Sequence, residues 1–65
     1  MISINRTKFL LALTNTQLTS TQIAEKAGVS RVVISKVVNN KQSTMRPQTL
    51  GKIARALSVK VEDLI

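Results

Sequence analysis

The side chains able to do chemistry in this 65-residue chain are few and mostly of one kind. There is no cysteine and no histidine. Thiolate nucleophiles, disulfides, thiolate metal sites and the commonest general base are therefore all missing. The acids are Glu25, Glu62 and Asp63. Glu25 has no second carboxylate near it in sequence, and no glycine-rich phosphate loop is present. An enzyme fits this inventory poorly, and no cofactor or metal is expected.

What remains is positive charge. Ten Lys and Arg stand against three Asp and Glu, a net +7. From Lys26 through Arg31, Lys36, Lys41, Arg46, Lys52 and Arg55 to Lys60, no acid interrupts the basic residues. Such a stretch attracts a polyanion, whereas an ordinary solvated surface mixes both signs. An anionic membrane is one alternative partner. It wants bulky apolar anchors beside the charge, and Phe9 is the one aromatic residue. No apolar run approaches the ~20 residues that span a bilayer. Met1-Ile2-Ser3-Ile4-Asn5-Arg6 lacks a basic stretch followed by an apolar one, so no signal peptide is expected.

Helices must position these charges, and the chain punctuates them plainly. It is long enough for a single domain, residues 1–65, with a modest core. Asn5 can cap a first helix from about Arg6 to Leu13, with Phe9, Leu10 and Leu13 inward. Thr14-Asn15-Thr16-Gln17 reads as a turn. Leu18-Thr19-Ser20-Thr21-Gln22-Ile23 reads as a capping box with a hydrophobic staple, opening a helix over about 19–27. Gly28 follows at the left-handed position that ends a helix. Val29 and Ser30 repeat the staple and cap, opening a helix over about 31–38. The β-branched run Arg31–Val38 also favours a strand. It lacks a period of two, and a cap precedes it, so the helix reading is preferred. Asn39–Thr44 reads as a polar loop. Pro47 suits the first position of a fourth helix, with Leu50, Ile53, Ala54 and Leu57 at i, i+3, i+4, i+7. Val59, Val61, Leu64 and Ile65 indicate a last turn from about Val61. The fold class is thus all-α, a compact bundle of four to five short helices.

Two short helices joined by Ala27-Gly28-Val29-Ser30 make a helix-turn-helix within Ser20–Asn39. Ala24 is small enough for a close crossing. Ile23, Val29, Ile34 and Val37 point inward and fix the angle at which the second helix can enter a major groove.

Taken together, Leu18-Thr19, Gln22 to Arg31, Ile34 to Val37 and Leu50 to Val59 resemble the Cro and phage-repressor family, also called the xenobiotic-response-element family. The resemblance covers about Arg6 to Ile65. It implies a lambda-repressor-like bundle that binds double-stranded operator DNA, usually as a two-fold homodimer. It also implies a sequence-specific transcriptional regulator, of phage or prophage type, in the cytoplasm of a bacterial cell or an infected host. Carried over, the base-contact residues are Arg31, Val32, Ser35 and Lys36. Arg31 and Lys36 can donate to guanine, Ser35 can pair with several bases, and Val32 can meet a thymine methyl. Ser20, Thr21 and Gln22 suit a DNA phosphate at the start of the preceding helix, as do Asn39, Asn40 and Lys41 after the recognition helix. Each has a plainer role open to it: Ser30 as a cap, Gln22 as half of a capping box, Arg31 and Lys36 as solvated charges. Lys52, Arg55 and Lys60 read as general surface charge.

One departure opens an alternative. Val32, Val33 and Val38 add apolar surface near the recognition face, where the family usually carries polar groups. Exposed apolar surface often marks a protein contact. These valines are therefore candidates for docking a partner repressor protein, which would make the chain an antirepressor.

Overall fold

Each of the first three helices begins where a side chain closes its free N–H groups. In the computed structural model, which describes Met1–Ile65, Asn5 Oδ1 accepts the Lys8 N–H at 3.0 Å and opens α1, Arg6–Thr16. Thr19 Oγ1 accepts the Gln22 N–H at 3.1 Å, and Gln22 Oε1 accepts the Thr19 N–H at 2.8 Å. This reciprocal box opens α2, Ser20–Ala27. Ser30 Oγ accepts the Val32 N–H at 3.2 Å and opens α3, Arg31–Val38. Pro47 occupies the first turn of α4, Pro47–Ala56, and a 3-10 turn, Val61–Leu64, closes the chain.

The all-α expectation holds, with one addition. Ile2–Ser3 (β1) and Thr44–Met45 (β2) form a two-residue antiparallel pair, Ile2 opposite Met45 and Ser3 opposite Thr44. Thr44 therefore belongs to a strand and not to the expected polar loop. Elements this short carry no readable period of two. A second difference lies in α1, which continues to Thr16 where a turn is expected from Thr14. The Thr14 and Thr16 hydroxyls donate to the Leu10 and Leu13 carbonyls at 2.8 and 2.7 Å. The polar side chains thus bond back onto their own helix instead of breaking it. The chain turns at Gln17, whose φ is 58°.

The core gathers one stripe from every helix. Phe9, Ile23, Ile34, Leu50, Ile53 and Leu64 are completely buried. Leu18 and Val29, the expected staple residues, are half-buried against that cluster, as are Leu10 and Leu13 of α1. No charged or polar side chain is buried. No helix is long and apolar enough to cross a membrane.

Candidate nucleic-acid interface

The angle between α2 and α3 is set by a tight turn and by what it buries. At the end of α2 the Gly28 N–H donates to the Glu25 carbonyl at 3.2 Å, and the Val29 N–H donates to the Ala24 carbonyl at 3.0 Å. Gly28 has φ 72°, and nothing lies within 4 Å of where a Cβ would stand. Glycine is needed there for its backbone conformation and not for space. Ala24 is 3 % exposed, so the α2 backbone lies close to its neighbours.

Helical geometry then sorts the residues of α3. Ile34 and Val37 are buried, which turns Arg31, Val32, Ser35 and Lys36 to solvent. Val32 is 56 % exposed. Val33 and Val38, expected to add apolar surface near the recognition face, are only partly exposed there. Both are half-buried and pack on the core cluster, because positions flanking Ile34 and Val37 meet neighbouring elements. The side chains of Arg31 and Lys36 take part in no intramolecular hydrogen bond, so their donors are free. Ser35 Oγ accepts from Asn39 Nδ2 at 3.2 Å, one helical turn on.

The positions considered for phosphate contact divide in two groups around α3. Thr21 and Gln22 are exposed at the start of α2, and Ser20 beside them is half-buried. Gln22 has its carbonyl oxygen engaged in the capping box. Asn39, Asn40 and Lys41 are exposed just past α3. Asn40 has φ 59°. Its N–H donates to the Val37 carbonyl at 3.1 Å, and the Lys41 N–H reaches the Lys36 carbonyl at 2.7 Å. This is the Schellman arrangement, with asparagine in the place glycine takes at the end of α2.

Sequence reasoning missed Arg6. Its Nε and Nη2 donate to the Val38 carbonyl at 3.2 and 2.7 Å, from 32 residues away in the chain. Only its place at the first position of α1 marks it in the sequence, and that says nothing about its partner.

Neither surface hollow of the molecule includes an α3 residue; the hollow beside α1, about 300 Å³, is lined by Lys8, Leu11, Ala12, Asn15, Val59 and Asp63. The solvent-facing side of α3, with Arg31, Val32, Ser35 and Lys36, is exposed and belongs to neither hollow. Residues 10–65 match the Cro/C1-type HTH DNA-binding domain. The chain belongs to the Cro/C1-type helix-turn-helix family. Two curated relatives from Bacillus subtilis are similar to it. One is an uncharacterized HTH-type transcriptional regulator, RghRB, 41% identical over 49 residues, which are 75% of this chain and 35% of that protein. The other is the HTH-type transcriptional repressor RghR, 39% identical over 49 residues, 75% of this chain and 36% of that protein. The chain thus spans about a third of the length of these relatives. No solved structure matches it. As a Cro/C1-type domain the chain has its α2–α3 pair in the expected order, and two of its free basic side chains, Arg31 and Lys36, lie on the exposed side of α3.

Proposed function

We propose that the chain is the sequence-specific DNA-binding module of a Cro/repressor-like transcriptional regulator, with α3 in the major groove of operator DNA. The observation that carries this reading is the sorting of α3: its inner residues are fully buried, and Arg31, Val32, Ser35 and Lys36 face solvent with free basic donors. Arg31 and Lys36 read guanine edges, Val32 meets a thymine methyl, and Ser35 supplies a hydroxyl. Thr21, Gln22 and Ser20 on one side and Asn39, Asn40 and Lys41 on the other hold the phosphates that set the register. RghR is described as a repressor, and repression is the sign we assign here.

The antirepressor reading draws on the same valines. Val33 and Val38 are half-buried on the core, which leaves it Val32 alone, and Val32 suits a thymine methyl equally well. The DNA reading is therefore the one we hold. It is tested by selecting duplexes from a random library with the purified chain. Enrichment of one sequence motif, bound far more tightly than random duplex, is expected; no enrichment at any salt concentration overturns it.

A further inference from the structure

The end of the recognition helix is held by a residue outside the helix-turn-helix. The carbonyls of the last turn of α3 are all satisfied, each by a different route. Ser35 accepts the Asn39 N–H at 2.9 Å, and Val37 accepts the Asn40 N–H at 3.1 Å. Lys36 accepts both the Lys41 and Gln42 N–H groups, at 2.7 and 3.2 Å. In a continuing helix the Gln42 N–H would serve Val38; here it has turned to Lys36. That leaves the Val38 carbonyl, and the Arg6 guanidinium takes it with two donors.

The charge has a physical reason to be there. Arg6 sits in the first turn of α1, where the helix dipole disfavours a cation and no acid offsets it. At the C-terminal end of α3 the same charge is favoured. The backbone just before Arg6 is pinned as well. The Ile4 N–H donates to the Ser43 carbonyl and the Asn5 N–H to the Leu64 carbonyl, both at 2.7 Å. β1 pairs with β2 just before. Residues 2–6 therefore form a clasp around the segment that leaves α3, and Arg6 ties that clasp to the helix itself.

We propose that Arg6 is a positioning residue for DNA recognition, fixing the end of α3 and the Asn39–Lys41 segment after it so that base and phosphate contacts share one register. The specificity role rests on the DNA-binding reading above, whereas the clasp itself does not. A guanidinium fork is required, because lysine keeps the charge but offers no planar pair of donors.

The test compares wild type with Arg6→Ala, Arg6→Gln and Arg6→Lys. Affinity is measured for a duplex selected by the wild-type chain and for random duplex, across a salt series, at a temperature where each protein is folded. The ratio of selected to random affinity is expected to fall by about tenfold in all three variants, the size of losing a charge-assisted hydrogen-bond pair. For Arg6→Lys the salt slope is expected to stay at the wild-type value. A slope shallower by about 0.9 in Arg6→Ala, recovered with full ratio in Arg6→Lys, makes Arg6 a phosphate ligand and overturns the proposal. A lowered melting temperature with an unchanged ratio makes it merely structural and also overturns it. Amide exchange without DNA supplies an independent arm. The Asn39, Asn40 and Lys41 amides are expected to lose protection in Arg6→Gln while those of α2 keep theirs; unchanged protection overturns the clasp. If the wild-type chain enriches no duplex, the DNA reading fails and the exchange arm still decides the clasp.

Discussion

At the scale of single residues, the side chains of α3 divide by what they gain from their surroundings. Arg31 and Lys36 gain nothing within the chain, since neither is buried or bonded. Replacing either with alanine is expected to leave stability unchanged and to cost roughly 1–3 kcal/mol on the selected duplex. Lys41→Ala, past the helix end, is expected to weaken all duplexes about equally. Fluorescence anisotropy on selected and random DNA separates the two patterns, and an Arg31→Ala loss equal on both would make Arg31 a phosphate ligand. The valines divide in the same way. Val32→Ser removes an exposed side chain and is expected to leave the melting temperature in place. Val33→Ser puts a hydroxyl against the core and is expected to cost about 1 kcal/mol or more in urea unfolding.

At the scale of elements, the helix ends add to the stability that the core supplies. Gly28→Ala forces a side chain into a left-handed backbone, at an expected cost of about 1–2 kcal/mol, with Gly28→Asn costing less. Gly51, inside α4, has open space around a would-be Cβ. Gly51→Ala is therefore expected to stabilise by about 0.5–1 kcal/mol. Urea denaturation of the three variants checks both signs. These ends also show what the sequence could and could not say. Thr19, Gln22, Gly28 and Ser30 were legible because caps and glycine turns act over three or four residues. Asn40 and Ser58 are left-handed too, at φ 59°. Asparagine enters that conformation more readily than most residues, so Asn40 carries a weak local signal, whereas Ser58 carries none. The β1–β2 pair and the Arg6 bond join residues far apart in the chain, and no local pattern encodes such a partner. The same reasoning covers the recognition face. Its exposed members followed from the burial of Ile34 and Val37, whereas the half-burial of Val33 and Val38 depended on which elements lie alongside.

At the scale of the whole molecule, size and charge set the terms of binding. The chain measures 25 × 21 × 20 Å. Successive turns of a major groove on one face of DNA lie about 34 Å apart. A single copy is therefore shorter than that spacing, and a two-fold operator would require a second copy. The net charge of +7 favours a polyanionic partner. The logarithm of the binding constant is expected to fall linearly with log salt, at about −0.9 per phosphate neutralised. A titration across salt concentrations measures this directly, and an affinity indifferent to salt would contradict a phosphate-dominated interface.

The backbone partners of Ile4 and Asn5 lie far along the chain, at Ser43 and Leu64. Contacts of such long sequence separation must first overcome the entropy of closing a long loop, so they form slowly compared with the local turns of α2 and α3. A nascent chain that has not yet reached Leu64 lacks the acceptor for the Asn5 N–H. The frame around α3 is therefore expected to close only after the helix-turn-helix segment itself has been synthesised.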